Sequence, residues 1–373
     1  AGFIMAGSTF GKKFKVMTWG ESHGQALGVV IDGCPAGLML NEDDIQKYLD
    51  LRKPGQNKYA TQRNEDDKVE ILSGIFQGKT TGTPISLIIY NKSQRSSDYS
   101  EIASYYRPGH ADYTFDIKYG FRDYRGGGRS SGRETTARVA AGAIALKLLG
   151  LFGVEFTTYA KQIGPFEINM DNFDKSNISE DLLRMPDKET SLKAQEYLDK
   201  VRAEKDSVGG IIECRIDGVY PGLGDPVFDK LDARLAYAIM SIGAVKGIEF
   251  GEGFNVANLK GSENNDEFYI NKDVSNKSFD LIKDVSKKTN HSGGVLGGMS
   301  DGSTIVFRCA IKPTPSIAKE QRTINKNGED ITVSIKGRHD PIIVPRAVVV
   351  VEAMAALTIL DAMLENMGTT VQM

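Results

Sequence analysis

The four histidines of this chain are the residues whose type and setting point most directly to chemistry. Each lies within two residues of a glycine: His23 in ESHG, His110 in PGHAD, His291 in NHSGG and His339 in GRHDP. Imidazole exchanges a proton near neutral pH, so this setting favours acid–base catalysis, although a turn histidine bonded to the backbone gives the same pattern. The H-x-x-x-H and H-E-x-x-H spacings of metal sites do not occur, so we predict no metal.

Arginine is concentrated beside the second of these histidines. Between Arg107 and Arg138 the chain carries seven basic and four acidic residues, although its net charge is −3. Two basic groups stand out, one around a run of three glycines and one further upstream: Arg122, Arg125, Arg129 and Arg133, then Arg52, Lys53, Lys58 and Arg63. Arginine binds carboxylates and phosphates bidentately, so we predict a small, multiply charged anionic ligand. A solvated face with weak surface ion pairs is the alternative.

Three short motifs match catalytic patterns only in part. Residues 20–24 (GESHG) have the spacing of a nucleophile elbow, but the residues after them read as a strand, where the elbow needs a helix. Residues 74–80 have three residues between their glycines where a P-loop has four, and they read as a hairpin turn. Residues 126–132 depart from the dinucleotide pattern, yet a glycine loop before a capped helix is a good anion site. We therefore predict no serine hydrolase, P-loop enzyme or Rossmann domain.

Composition narrows the class of protein further. The 373 residues include 46 basic and 49 acidic side chains, which disfavours a general nucleic-acid-binding protein. The three cysteines, Cys34, Cys214 and Cys309, are far apart and form no C-x-x-C motif, which suits a reducing, cytoplasmic setting. The first 15 residues contain no long apolar run, so we predict no signal peptide, with Met5 as the natural start.

One apolar segment requires a comparison with membrane helices. Residues 347–364 are mostly apolar but include Glu352 and Asp361. A charge at the bilayer centre costs about 2.5–3.5 kcal/mol on insertion scales. Pro345 and Gly368 suit the two ends of a helix in a globular fold. We predict a buried core helix and no membrane association.

Apolar spacing predicts five helices and seven strands, grouped rather than strictly alternating, which favours an α+β fold. The helices start at Asn41, at a Ser131–Glu134 capping box, near Ala194, at Asp225-Pro226 and near Ala347. The strands are residues 14–19, 27–31, 69–76, 85–90, 210–216, 304–311 and 331–335. Residues 69–76 and 85–90 are expected to form an antiparallel hairpin.

Longer stretches resemble the signature blocks of the chorismate synthase family. They are FKVMTWGESHG, RPGHADYTFDIKYGFRDYRGGGRSSGRET, NHSGGVLGG, KPTPSI and GRHDPIIVPRAVVVVEAM, in the family's order along nearly the whole chain. The resemblance implies one domain over residues 5–373, a β-α-β sandwich whose helical layer lies between two antiparallel sheets, and a homotetramer. It also implies a carbon–oxygen lyase that converts 5-enolpyruvylshikimate 3-phosphate to chorismate and phosphate by 1,4-anti elimination with reduced FMN, the last step of the shikimate pathway.

The same resemblance implies the roles of individual residues. His23 resembles the proton donor near the reduced flavin, His110 the histidine at the departing phosphate, and Asp340 the carboxylate that acts with the flavin when the C6 proton leaves. Residues that match FMN contacts are Arg129, Ser130, Ser131, Gly243, Ala244, Gly297, Lys312, Pro313, Thr314, Pro315, Ser316 and Arg338.

Four basic residues are expected to bind anions. Arg52 and Lys58 match family residues associated with NADPH or substrate, and Arg107 and Arg133 are our expected contacts to the anionic groups of the substrate. NADPH is a possible reductant of the flavin within this protein, and a separate flavin reductase is the other possibility. The sequence leaves both open.

The chain departs from the family pattern at three of these positions. Gly243 replaces a common asparagine and loses its side-chain contact, Pro315 replaces a serine and loses a hydroxyl and a backbone donor, and Lys58 replaces an arginine and loses the planar fork. Residues 157–206 match the family blocks weakly and receive no site. The competing class is a flavin or anionic-metabolite sensor without turnover, and histidines and an aspartate in glycine-rich settings favour the enzyme.

Overall fold

The structure is a computed structural model that describes residues 7–53, 58–59, 66–92, 101–271, 285–335 and 340–369. Its helices are α1 (Glu42–Arg52), α2 (Asp112–Tyr119), α3 (Thr135–Leu151), α4 (Asn177–Glu180), α5 (Lys188–Ala203), α6 (Leu231–Met240), α7 (Gly261–Asn264) and α8 (Val344–Asn366). Its strands are β1 (Thr9–Phe10), β2 (Lys15–Gly20), β3 (Ala26–Asp32), β4 (Val69–Ile71), β5 (Ile75–Phe76), β6 (Lys79–Thr80), β7 (Ile85–Tyr90), β8 (Glu155–Ile163), β9 (Phe166–Glu167), β10 (Gly210–Asp217), β11 (Val245–Phe250), β12 (Phe268–Ile270), β13 (Val285–Lys287), β14 (Val295–Leu296), β15 (Met299–Ser300), β16 (Ile305–Ile311), β17 (Gln321–Ile324) and β18 (Asp330–Val333).

The first large sheet covers one side of the core. It has five strands in the order β1-β2-β3-β7-β4, and every neighbouring pair is antiparallel. In β7, Ile85, Leu87 and Ile89 are buried, while the residues between them are more exposed. Because side chains alternate between the two faces of a strand, this pattern directs one face of the sheet to the core.

The second large sheet covers the opposite side. Its order is β11-β16-β10-β8-β9, again antiparallel throughout. In β16, Ile305, Phe307, Cys309 and Ile311 are buried and alternate with more exposed residues. The central strand β10 pairs along its length with β8 and β16, so this sheet also presents one continuous apolar face.

A layer of helices lies between the two sheets. Helix α3 contacts β2, β3 and β7 of the first sheet, α8 contacts β8 and β10 of the second, and α1, α3 and α8 contact one another. A Cβ atom added at Gly142 of α3 would lie 2.3 Å from the Cβ of Ala353 of α8, so the two helices approach as closely as glycine permits. This arrangement confirms the predicted α+β class with its helical layer between antiparallel sheets.

Helix α8 is long and apolar enough to cross a membrane, and 83% of its most apolar stretch is buried inside the fold. Asp361 of α8 accepts hydrogen bonds from the backbone N–H groups of Lys12, Lys13 and Phe14 at 3.0, 2.6 and 2.9 Å. It also pairs with Arg234 of α6 at 2.6 Å. This acid therefore anchors the segment before β2 to the helical layer, in agreement with the predicted core helix.

Two predicted elements begin or end elsewhere. Helix α6 begins at Leu231 instead of residue 225, because the preceding residues form a turn in which Val227 has a left-handed φ of 70°. The predicted strand 69–76 is split into β4, which pairs with β7 as expected, and β5, which forms a small hairpin with β6. Gln77 and Gly78 turn this hairpin with φ values of 49° and 75°, in agreement with the predicted turn.

The predicted capping box at the start of α3 is also wrong. The Ser131 hydroxyl accepts a hydrogen bond from the N–H of Arg133 at 3.3 Å and caps a short 3₁₀ turn, Gly132–Glu134. The Glu134 carboxylate pairs with Arg138 one turn later, at 2.9 Å. Helix α3 therefore begins at Thr135.

The three cysteines are free and buried. Cys34 follows β3, whereas Cys214 and Cys309 lie in the adjacent strands β10 and β16. Burial raises the pKa of the Cys34 thiol to about 11 and that of Cys309 to about 12. Because the thiolate is the reactive form, these thiols are chemically inert in the folded protein.

Candidate active site

The loop between β2 and β3 holds Ser22 and His23, both buried. The Ser22 hydroxyl lies 3.1 Å from Nδ1 of His23 and donates to the carbonyl of Gly126 at 3.2 Å. A strand follows this loop instead of a helix, so the excluded nucleophile elbow is absent here, as predicted. Gly126 has a φ of 68°, and a Cβ there would lie 2.3 Å from Cε1 of His23. The glycine loop is therefore in direct contact with the histidine ring.

Arg129 fixes the glycine loop to the first sheet. Its Nη2 donates to Thr18 Oγ1 at 2.8 Å, and its Nη1 donates to the carbonyl of Gly20 at 3.2 Å. Gly126, Gly127 and Gly128 all have left-handed φ values, which L side chains rarely adopt. Ser130 ends the 3₁₀ turn that contains Arg129. The loop is thus held at the end of β2, next to the histidine loop.

A buried cluster of charges lies beside this loop. Arg52, Asp67 and Arg133 are all buried; Arg133 donates through Nη1 to Oδ1 of Asp67, and Arg52 Nη1 lies 3.5 Å from Oδ2. Burial lowers the pKa of Arg52 to about 9, and Asp67 opposes this effect. Arg52 Nη1 also donates to Thr136 Oγ1 at 3.0 Å. Two of the three predicted anion-binding arginines, Arg52 and Arg133, therefore share one carboxylate.

Asn91 connects this cluster to the histidine loop. Its Nδ2 donates to the carbonyls of Glu21 and Gly24 at 3.1 and 2.8 Å, and its Oδ1 accepts from Nε of Arg133 at 2.9 Å. The loop that carries His23 is therefore hydrogen-bonded, through one side chain, to the arginine cluster.

Asp340 lies at the other end of the same cluster. Arg346, in the first turn of α8, donates through Nη1 to Oδ2 of Asp340 at 2.6 Å and through Nε to the carbonyl of Arg52 at 3.0 Å. A continuous series of polar contacts thus runs from the His23 loop through Asn91 and the arginines to Asp340. The structure brings together two of the three predicted catalytic regions along this series.

His110 lies in a turn that ion pairs hold in place. Arg107 makes two parallel hydrogen bonds to Asp112, with Nε to Oδ2 at 2.8 Å and Nη2 to Oδ1 at 2.7 Å, so its guanidinium group is engaged within the turn. Nε2 of His110 lies 2.8 Å from Oγ of Ser316, and Lys312 donates to the carbonyl of Gly109 at 2.8 Å. The histidine therefore contacts the predicted cofactor segment, residues 312–316.

The segment 312–316 also connects to the other predicted residues. The N–H of Lys312 donates to the carbonyl of Ala244 at 2.9 Å, and Ser207 Oγ donates to the carbonyl of Thr314 at 2.6 Å. The next residue, Val208, donates to the carbonyl of Pro341 at 2.8 Å. Gly243 and Ala244, the segment that contacts His110, and the residue after Asp340 are thus neighbours.

Two predicted site residues stand apart, and a third lies outside the described residues. Gly297 lies in the turn between β14 and β15, next to the first residue of α6. Ala244 follows the other end of this ten-residue helix, about 15 Å away. Lys58 is exposed and pairs with Asp199 of α5 at 2.8 Å, away from the arginine cluster. Arg338 lies outside the described residues.

Sequence reasoning missed Asp67, Asn91 and Arg346. Asp67 stands in the acidic run NEDDK, where nothing distinguishes it from its neighbours, and Asn91 simply follows a strand. Arg346 lies inside the block GRHDPIIVPRAVVVVEAM, which also contains Asp340, and this shared block is the sequence signal that could have identified it. Among the described residues, no group of three or more His, Cys, Asp or Glu side chains has the arrangement of a metal site.

Fold and site together define a class: an α+β sandwich in which histidines, a carboxylate and buried arginines surround glycine-rich turns. A family model for chorismate synthase matches residues 14–364. The chain is 64% identical to the chorismate synthase of Agathobacter rectalis over 98% of this chain and 96% of that protein, and 65% identical to that of Lachnoclostridium phytofermentans over 98% and 97%. A solved structure described as "Crystal Structure of Chorismate Synthase" superposes with a TM-score of 0.74 at 32% identity, covering 96% of this chain and 94% of that one.

The chain belongs to the chorismate synthase family. It is a carbon–oxygen lyase of the shikimate pathway, the activity that the family and its close relatives share. The family resemblance predicted from the sequence motifs is confirmed over nearly the whole chain.

Proposed function

We propose that the described cluster is the active site for conversion of 5-enolpyruvylshikimate 3-phosphate to chorismate and phosphate by 1,4-anti elimination with reduced FMN. The observation that carries the proposal is the series of polar contacts that joins the His23 loop to Asp340 through Asn91, Arg133, Asp67, Arg52 and Arg346. Residues far apart in sequence meet there around an excess of positive charge, as a substrate with two carboxylates and a phosphate requires.

We assign substrate binding to the arginine cluster. Three guanidinium groups, of Arg52, Arg133 and Arg346, face the carboxylates of Asp67 and Asp340, which leaves a net positive charge in a buried setting. Charges aimed at a departing phosphate in a site of low dielectric are usually the largest catalytic contribution. Arg107 holds the His110 turn by donating Nε and Nη2 to Asp112. Its proposed contact to the substrate therefore uses its other N–H donors.

We assign proton transfers to three residues. His110 gives a proton to the leaving phosphate, and a bound phosphate dianion favours the protonated ring. His23 acts as a proton donor from its buried loop, and Asp340, with its carboxylate oriented by Arg346, acts together with the flavin when the C6 proton leaves. General acid–base groups of this kind each contribute about 10²–10⁴-fold to rate.

The residues around the segment 312–316 fit a flavin. Thr314 Oγ1 is buried and has no hydrogen-bond partner within the described part of the chain, so it offers a polar group to a ligand. The left-handed glycines 126–128 and Ala244, with a φ of 74°, present backbone where side chains would intrude. Residues proposed to hold FMN are Arg129, Ser130, Ser131, Gly243, Ala244, Lys312, Pro313, Thr314, Pro315, Ser316, Gly297 and Arg338. When bound, reduced FMN would supply electron density during the elimination and recover it afterwards.

Assembly, flavin reduction and location are further parts of the proposal. Exposed apolar side chains on the outer face of the first sheet, including Met17 at 54% and Leu72 at 57%, support association of copies, which we propose is a homotetramer. The flavin is reduced either with NADPH bound near Arg52 and Lys58 or by a separate reductase. The absence of cysteine pairing among Cys34, Cys214 and Cys309 supports a cytoplasmic enzyme.

An anaerobic assay tests the proposed function. The full chain is mixed with 5-enolpyruvylshikimate 3-phosphate and chemically reduced FMN, and chorismate and phosphate are measured. We expect both products in equal amounts, without net oxidation of the flavin. Binding of substrate without chorismate would support a sensor instead. Repeating the assay with NADPH and oxidised FMN distinguishes internal from external flavin reduction.

A further inference from the structure

Asp67 is a buried carboxylate that no motif pointed to. Its side chain is 0% exposed, and its backbone has a left-handed φ of 45°. A non-glycine residue in this conformation is strained and persists only where its surroundings hold it. Gln46 contributes by donating to the Asp67 carbonyl at 3.3 Å. The backbone and the carboxylate are therefore both fixed.

The carboxylate of Asp67 separates two like charges. Oδ1 accepts from Nη1 of Arg133, and Oδ2 lies 3.5 Å from Nη1 of Arg52. Without this carboxylate two buried guanidinium groups would face each other, and an uncompensated buried charge is strongly destabilising. Asp67 therefore sets how closely the two arginines approach and which of their donors are engaged.

The contacts leave donors for a ligand. Arg52 uses Nη1 for Asp67 and Thr136, and its buried Nε has no hydrogen-bond partner in the described part of the chain. Buried polar atoms of this kind are uncommon and call for a partner such as a ligand. Asp67 contacts the guanidinium group of Arg52 through Nη1 alone, so the Nε donor points away from this contact with a fixed orientation.

We propose that Asp67 is a positioning residue for substrate binding: it holds Arg52 and Arg133 side by side so that the pair binds one anionic group of the substrate. This inference rests on the proposed function, because it takes both arginines as substrate contacts. In the opposite role, which we call the competitor role, the Asp67 carboxylate takes the place of the substrate anion: it neutralises the arginines and weakens their binding of an anion. The two roles predict opposite changes in substrate affinity.

The test compares Asp67→Asn with Asp66→Asn in the full chain. Asp66 is the adjacent carboxylate, 62% exposed and paired with Lys92 at 3.0 Å, so it controls for the loss of one negative charge in this segment. KM for 5-enolpyruvylshikimate 3-phosphate, kcat and the Kd of FMN are measured anaerobically. For Asp67→Asn we expect KM to rise about tenfold or more with the Kd of FMN within about twofold, and for Asp66→Asn no change.

A folded Asp67→Asn protein with unchanged or lower KM would overturn the inference, and a lower KM would identify the competitor role. Equal losses of substrate and FMN binding would also overturn it, since they indicate general disorder of the site. The selective rise in KM is the result that a purely structural residue does not give.

A double variant covers the case in which Asp67→Asn does not fold. Asp67→Asn combined with Arg133→Gln removes one buried charge of each sign, so the net charge of the cluster is unchanged, and Arg52 keeps its hydrogen bond to Thr136. Because Arg133→Gln already breaks the arginine pair that Asp67 holds together, we expect the KM of the double variant to lie within about twofold of that of Arg133→Gln alone. A further multiplicative rise would contradict the positioning role.

The two levels of proposal fail separately. If the unmodified chain forms no chorismate from substrate and reduced FMN, the proposed function fails whatever Asp67 does. If the unmodified chain turns over and Asp67→Asn keeps its KM, only the role of Asp67 is overturned.

Discussion

His110 and His291 have similar sequence settings and different surroundings. Nε2 of His110 lies 2.8 Å from Ser316, in the segment that we propose binds flavin. Nδ1 of His291 lies 3.1 Å from the carbonyl of Asn264 and 3.4 Å from Asp266, so it supports a turn. His291 therefore matches the interpretation as a turn histidine, whereas the surroundings of His110 support the catalytic role that we propose for it. Spacing alone could not assign them, because the deciding partners lie between 25 and 206 residues away.

We expect His110→Ala to lower kcat by about 10²–10⁴-fold, because the leaving phosphate loses its proton donor. The thermal midpoint should change little, since the ring is only partly buried. Turnover in the anaerobic assay and thermal unfolding by circular dichroism measure the two effects. His291→Ala is the matched control and should retain turnover. Full activity of His110→Ala would remove this histidine from the mechanism.

Glu352 is an acid in the middle of α8 that the proposed mechanism does not use. Burial raises its pKa from 4.5 to about 7, while Thr158 and Lys175 oppose the shift. Between these two values the folded state binds a proton that the unfolded state releases. Stability contributed by this group is therefore complete below about pH 4.5 and is lost as the pH rises through 7.

Glu352→Gln should remove this pH dependence. Above pH 7 we expect the variant to be more stable than the parent by roughly 1–3 kcal/mol, with the difference vanishing at low pH, where both side chains are neutral. Urea unfolding of both proteins at several pH values between 4.5 and 8 measures it. A constant difference across this range would show that the carboxyl group does not titrate as described.

At the scale of elements, the contact between α3 and α8 sets the thickness of the helical layer. Glycine at 142 permits the close approach to Ala353, and no apolar pattern in either helix identifies this pair in advance. The sequence did predict the amphipathic helix α5 and the apolar helix α8, because periodicity reports which face is buried. It misplaced the start of α6, because a Pro after Asp225 suggested a helix start where tertiary contacts impose a turn.

Gly142→Ala should destabilise the protein by about 1–3 kcal/mol, because the added methyl group overlaps Ala353 and its backbone. Gly150→Ala is the control in the same helix, since nothing lies within 4 Å of its added Cβ. There we expect a gain of about 0.5–1 kcal/mol from higher helix propensity. Opposite shifts in thermal midpoint confirm the close packing, and parallel shifts would refute it.

At the scale of the whole molecule, Asp361 connects three parts of the chain, which are the segment before β2, helix α6 and its own helix α8. It accepts three backbone hydrogen bonds from residues 12–14 and pairs with Arg234 of α6, while it belongs to α8. From the sequence alone, Asp361 indicates only that its apolar segment is unsuited to span a membrane. Its partners lie more than a hundred residues away along the chain, so composition and spacing carry no trace of them.

Asp361→Asn should lower the free energy of unfolding by about 1.5–3 kcal/mol, because three backbone N–H groups lose a charged acceptor, while Arg234 keeps its ion pair with Glu365. Asp229→Asn is the control: its carboxylate pairs with Lys12 at the surface, at 2.7 Å, and should change stability by about 0.5 kcal/mol or less. Denaturant unfolding compares the two. Similar values for both variants would show that Asp361 is not the anchor of this segment.

The three buried cysteines can serve as natural reporters of unfolding. Cys34 marks the first sheet, and Cys214 and Cys309 mark neighbouring strands of the second, with every sulfur shielded from solvent. A maleimide pulse during partial denaturation would therefore modify each cysteine only when its own sheet opens. Mass mapping of the modified peptides would reveal whether the two halves of the sandwich come apart together or one after the other, without any engineered probe.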